Sequence, residues 1–125
     1  SERSENLRRT MEVAKLLNDQ GAICITSFVA PEEHARAFAR RLIGEQRFIH
    51  VHLETPLSVC KTRDVSQLYQ TERGEERGNI PGSTTNYDPP KNPELRIDTS
   101  NLGKDEVAAL ILDLLVKRNI ISRSR

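Results

Sequence analysis

Tryptophan is missing from the 125 residues, and three Phe and two Tyr make up the whole aromatic complement. A core built from this chain must come mainly from Leu, Ile and Val. A charge excess is missing too: 19 basic residues stand against 18 acidic ones, for a net charge near +1. That argues against a dedicated nucleic-acid binder, which carries a basic excess on one face. It leaves room for a small anionic ligand, which needs only a few arginines. No apolar run approaches the roughly 20 residues that cross a membrane, and SERSENLRRT has no apolar segment of the signal-peptide kind. The two cysteines, Cys24 and Cys60, have neither CxxC nor metal-ligand spacing. Reduced thiols in a cytoplasmic protein are the reading this favours. His50 and His52 share one face of a strand, but zinc needs at least three protein ligands and no third stands at useful spacing. No metal site is expected.

What is present is a soluble balance, 36% hydrophobic and 30% charged, in a length suited to one domain. Leu7, Met11, Ala14 and Leu17 recur at three- and four-residue steps and predict a helix from about Ser4 to Asn18. Gly21 stands where a left-handed residue ends a helix. AICITSFV is short, apolar and β-branched, which predicts a buried strand over 22–27. Pro31, Glu32 and Glu33 open a second helix that runs to Ile43 and stops at Gly44. FIHVHLE predicts a strand over 48–53, with Ile49, Val51 and Leu53 on one face and the two histidines on the other. A third helix covers Leu57 to Asp64, ELRIDT is a third strand, and Asp105 to Lys117 is a closing helix with Val107, Leu110, Ile111 and Leu114 on its buried face. Between Val65 and Pro93 the apolar periodicity gives way to Gly, Pro, Asn, Ser and Thr, the signature of a functional lid. Alternating strands and helices specify an α/β fold with a parallel sheet and right-handed crossovers.

Six segments, in order, resemble the adenylylsulfate kinase family. ERSENLRR is similar to the family's DRxENIRR, with Arg3, Glu5, Asn6, Arg8 and Arg9 in place. ITSFVAP stands for the strand and Ser-Pro turn, and TPLSVCKTRD carries Leu57, Val59, Cys60, Arg63 and Asp64 in register with LxVCxxRD. Leu68-Tyr69, Gly82, and Tyr87-x-x-Pro90-x-x-Pro93 follow the lid motif, and Asp98-Thr99 with a last helix completes the pattern. The resemblance implies a P-loop nucleoside-triphosphate hydrolase (kinase) type of fold. The chain would be a single partial domain, residues 1–125, with a lid at 65–93 and with the N-terminal strand and phosphate loop missing. It implies Mg2+ with ATP, adenosine 5′-phosphosulfate as acceptor, a homo-oligomer, and fusion to or association with an ATP sulfurylase.

Residue by residue, the resemblance implies that Arg3 and Asn6 hold the phosphosulfate and nucleoside, and that Val29 and Ile80 sandwich the adenine. Arg63 and Asp64 would contact the ATP adenine, and the lid would use Arg73, Arg77 and Gly82. Paired guanidinium donors suit such oxyanions, and Arg3 and Asn6 lie one helical turn apart. The bland alternatives stand beside these: Arg3, Arg8 and Arg9 as the solvated face of a helix, Arg63–Asp64 as a surface ion pair, and Arg73 and Arg77 as solvent-facing charges.

The departures are as specific as the matches. The chain contains no GxxxxGK followed by Ser or Thr, the loop that cradles ATP phosphates. The family's Asp-Gly-Asp segment is also missing; both would lie upstream of Ser1. Ala30 replaces the family serine before Pro31, which removes covalent chemistry there, so this chain carries no catalytic residue of its own. Glu32 and Glu33 replace an aromatic and a basic residue, and Ser66 replaces a lysine. Such substitutions suit a second reading, a non-catalytic nucleotide-sensing domain fused to an ATP sulfurylase.

Overall fold

The structure, a computed structural model, describes residues 1–70, 78 and 80–123. They form two compact units, one from Ser1–Phe48 with the described part of Arg77–Pro90, the other from the described parts of Ile49–Glu76 and Lys91–Arg125.

In the first unit, helix α1 spans Glu2–Asp19 and starts because the Ser1 hydroxyl accepts from the Ser4 amide at 3.2 Å. Leu7, Met11 and Ala14 are buried as the periodicity predicts, whereas Leu17 is half exposed. Gly21, at φ 91°, ends the helix as expected: its amide bonds to Asn18 O, and the Ala22 amide reaches Leu17 O at 3.1 Å. Helix α2 spans Glu33–Ile43, two residues later than Pro31 suggested. Its apolar stripe of Ala35, Ala39, Leu42 and Ile43 meets Leu7 and Met11 to make the core of this unit, with Phe48 and Ala30 at its margin. Residues 80–90 close against the N-terminus of α2, where the Asp88 carboxylate accepts the Glu33 amide at 3.3 Å.

The strand predicted over 22–27 is not formed. Among the described residues the sheet has two strands, neither of them this segment, so its backbone has no ladder to join. Ile25 is 90% exposed, and Cys24 turns inward only far enough to donate to Ala14 O at 3.6 Å. A β-branched apolar run is strand-competent, but it becomes a strand only beside a partner.

In the second unit, strand β1, Val51–Leu53, runs parallel to β2, Leu95–Ile97, with Val51 opposite Leu95 and Leu53 opposite Ile97. The paired stretch is shorter than the predicted 48–53. Its buried member is His52, while Leu53 is more than half exposed. Helix α3 spans Leu57–Thr62 and follows Pro56, and helix α4 spans Lys104–Lys117 and packs against β2. On α4, Val107, Ile111 and Leu114 are half-buried, and Leu110 is exposed, contrary to its predicted place in a buried face. Among the described residues no helix is long and apolar enough to cross a membrane.

Candidate functional site

A cleft of about 320 Å³ opens between the first turns of α1 and the loop leading into α2. Arg3, Asn6 and Leu7 line it from the helix; Val29, Ala30 and Glu32 line it from the loop. Arg3 and Asn6 share an edge because they are three residues apart on one helix. Leu7 continues from the cleft into the core, and Val29 offers exposed apolar surface. The site thus pairs a guanidinium and an amide with an apolar wall, which suits a ligand carrying an oxyanion and a flat apolar face.

Glu32 complicates that picture. The Ser4 hydroxyl donates to its carboxylate at 2.5 Å and the Ser1 hydroxyl at 2.9 Å, and His34 Nε2 lies 3.1 Å away. The Ser4 and then the Ser1 hydrogen bonds hold its pKa below the ordinary carboxylate value. An anion therefore sits on the rim of a cleft otherwise suited to anions.

The loop wall depends on a residue that the sequence reading passed over. Arg36 is 6% exposed. It donates from Nη1 to Ala30 O at 2.6 Å, and from Nη2 to the Glu33 carboxylate at 2.6 Å and to Asp88 O. Its guanidinium also lies 5.6 Å from the centre of the Tyr87 ring. Burying a guanidinium is costly unless it is paired, and here two backbone carbonyls and a carboxylate meet it. The signal was available: Arg36 falls on the stripe that Ala35 and Ala39 trace along α2. Ala30 has φ 41°, a left-handed conformation that costs a non-glycine residue about 1–3 kcal/mol and persists only where its surroundings enforce it.

The other predicted residues fall elsewhere. Ile80 is buried, but it is not among the residues lining the cleft, so the cleft brings Val29 and not the expected Val29–Ile80 pair to its surface. Ile80 O accepts amides from Ser83, Thr84 and Thr85 in a tight turn that needs Gly82 at φ 82°. Arg63 and Asp64 belong to the second unit and are engaged in its framework. Arg63 donates to Thr99 Oγ1, Thr99 O and Ser100 O at 2.9–3.0 Å. Asp64 accepts the Leu68 and Tyr69 amides at 2.8 and 3.0 Å. Arg73 and Arg77 lie outside the described residues. The rings of His50 and His52 meet edge to face at 6.1 Å, and among the described residues no group of three or more His, Cys, Asp or Glu is placed to hold a metal.

Arg8 and Arg9 serve α1 itself. Arg8 grips Glu5 through two hydrogen bonds of 2.8 Å and Arg9 adds one of 2.9 Å. The Arg8 hydrogen bonds, then that of Arg9, lower the Glu5 pKa from 4.5 to about 2. A carboxyl depressed on folding stabilises above its unfolded pKa, and that contribution is lost as pH falls through its folded one. Replacing Glu5 by Gln should therefore lower the thermal midpoint at pH 6 and leave it nearly unchanged at pH 2. Equal effects at both pH values would show that the ion cluster contributes nothing.

Residues 1–98 match the Adenylylsulphate kinase family. The chain is 43% identical over 120 residues to a bifunctional enzyme CysN/CysC of Rhodopirellula baltica, covering 96% of this chain and 18% of that one. It is 42% identical over 120 residues to an adenylyl-sulfate kinase of Shewanella amazonensis, covering 96% of this chain and 61% of that one. A solved structure of the Mycobacterium tuberculosis APS kinase CysC in complex with AMPPNP and APS superposes with a TM-score of 0.82 at 37% identity, covering 90% of this chain and 66% of that one. The chain therefore spans less than two thirds of the length of the adenylyl-sulfate kinase it matches.

Proposed function

This chain belongs to the adenylylsulphate kinase family, and we propose that it supplies the acceptor-nucleotide side of an enzyme of sulfate assimilation. That enzyme moves a phosphoryl group from ATP to the 3′-hydroxyl of adenosine 5′-phosphosulfate and releases 3′-phosphoadenylylsulfate. The observation that carries the proposal is a cleft that gathers Arg3, Asn6 and Val29 together. Arg3 pairs with the phosphosulfate oxygens, Asn6 hydrogen-bonds to the nucleoside, and Val29 covers one face of the adenine. Ile80 is buried and outside that lining, so it is not assigned as a stacking wall.

Phosphoryl transfer asks the protein mainly to position reactants and to offset charge. This chain positions the acceptor. Mg2+ accompanies ATP in the proposed reaction, but the described residues offer no acidic cluster fit to hold it, so its ligands are not assigned to this chain. In the same proposal residues 1–125 are one partial domain with its lid at 65–93, and Arg63, Asp64, Arg73, Arg77 and Gly82 serve the nucleotide and lid. The protein is cytoplasmic and homo-oligomeric, and it is fused to or associated with an ATP sulfurylase.

Glu32 favours a second reading. A carboxylate on the cleft rim, together with Ala30 in the place of the family serine, fits a domain that binds nucleotide without turning it over. Incubating the full-length protein with Mg-ATP and adenosine 5′-phosphosulfate separates the two. Formation of 3′-phosphoadenylylsulfate supports the kinase, nucleotide binding without product supports the sensor, and neither binding nor product removes both.

A further inference from the structure

We propose that Arg36 is a positioning residue for the cleft, acting as a latch that fixes the Ala30 turn against the Tyr87–Asp88 segment. The inference rests on the proposed reading of the cleft, but its geometry stands apart from any ligand. Two stretches of backbone more than fifty residues apart in sequence present carbonyls to one guanidinium, Ala30 O to Nη1 and Asp88 O to Nη2. A third tie joins the same stretches directly, from the Asp88 amide to Pro31 O at 2.8 Å. A fourth runs from the Glu33 amide to the Asp88 carboxylate. The Tyr87 ring lies beside the guanidinium, so the cation is held by an aromatic face as well as by oxygens.

The latch matters because of what it holds. Ala30 lines the cleft and keeps a left-handed backbone that an alanine does not adopt unaided. Val29, next to it, supplies the apolar wall. Releasing the Ala30 carbonyl lets residues 29–31 relax toward ordinary backbone angles, and the wall leaves its place opposite Asn6. A lysine in place of Arg36 keeps the charge but not the planar fork, so it reaches one carbonyl and not both. Arg36 touches no ligand in this account; it acts through Ala30 and Val29.

The experiment uses the full-length protein with Arg36→Lys and Arg36→Ala, and reads three quantities. Arg36→Lys should still fold, with a lowered melting temperature, because one carbonyl loses its donor. It should raise the KM for adenosine 5′-phosphosulfate about ten-fold while leaving the KM for ATP within about two-fold. Hydrogen exchange at the Asp88 amide should speed up in Arg36→Lys without any nucleotide present, which tests the latch even if the protein binds no adenosine 5′-phosphosulfate. Unchanged exchange at Asp88 overturns the latch. Faster exchange with equal KM changes for both nucleotides, or with none, overturns its positioning role. If Arg36→Ala does not fold, the lysine variant carries the test by itself.

Discussion

The 125 residues alone should form no detectable 3′-phosphoadenylylsulfate from Mg-ATP and adenosine 5′-phosphosulfate. A kinase of this type relies on backbone amides and a lysine around the ATP phosphates and on a hydroxyl for the metal. No segment of this sequence has the GxxxxGK pattern that presents them. In the first unit the helix N-termini offer no substitute. The N-terminus of α1 is taken up by Ser1, and that of α2 faces the Asp88 carboxylate, an acceptor that would repel a phosphate. Electrostatic stabilisation from fixed dipoles is usually the largest part of such catalysis, and its loss is not recovered by orientation of the acceptor alone. The measurement is product formation by the purified chain, followed by ion-exchange chromatography over hours. Product above a protein-free control would mean that phosphoryl transfer needs less than the phosphate loop supplies. Activity that appears only after a full-length protein is added is consistent with an inactive chain, because the added protein brings its own phosphate loop.

The elements that sequence made legible are those whose causes are local. α1 could be read because Leu7, Met11 and Ala14 repeat at helical steps and Gly21 takes the left-handed turn that stops it. α2 could be read from Pro31, Glu32 and Glu33 at its start and from Gly44 at its stop. The segment 22–27 could not, because its composition reports strand competence and not the presence of a neighbour. β1 shows the same limit at smaller scale. Its apolar face was plain, but only Val51–Leu53 lie opposite residues of β2, and the pairing brings His52 rather than Leu53 into the interior.

The candidate site divides along the same line. Arg3 and Asn6 were legible from a motif and from helical spacing, and the cleft gathers both. The engagement of Arg63 was hidden because its acceptors, Thr99 and Ser100, lie more than thirty residues on and are mostly backbone carbonyls, which carry no side-chain signal. Arg36 was hidden for the same reason, since a buried arginine is defined by where its acceptors fold. What sequence did offer there was an inconsistency, a charge on an apolar stripe. Such inconsistencies mark places where distant backbone must complete the site.

Arg3→Ala and Asn6→Ala, each made in the full-length protein, should weaken adenosine 5′-phosphosulfate about ten-fold or more while leaving ATP within about two-fold. Both residues line the cleft from one edge of α1. Removing a hydrogen bond to a charged group costs about 1.5–3 kcal/mol, which is at least a ten-fold change in dissociation constant. Arg3→Lys should recover only part of the loss, because an ammonium is a point charge and the phosphosulfate oxygens are best met by a planar fork. Neither substitution touches the Leu7–Met11–Ala39 core, so the melting temperature should stay within a few degrees of the parent. Glu32 supplies an internal check. Its carboxylate faces the same cleft and is held ionised by Ser4 and Ser1, so Glu32→Gln should tighten the anionic nucleotide where Arg3→Ala loosens it. Titration calorimetry with each nucleotide separates these cases. Parallel losses for ATP and adenosine 5′-phosphosulfate in Arg3→Ala would mean that the arginine acts through folding, and its place on the cleft would then be the solvated face of a helix.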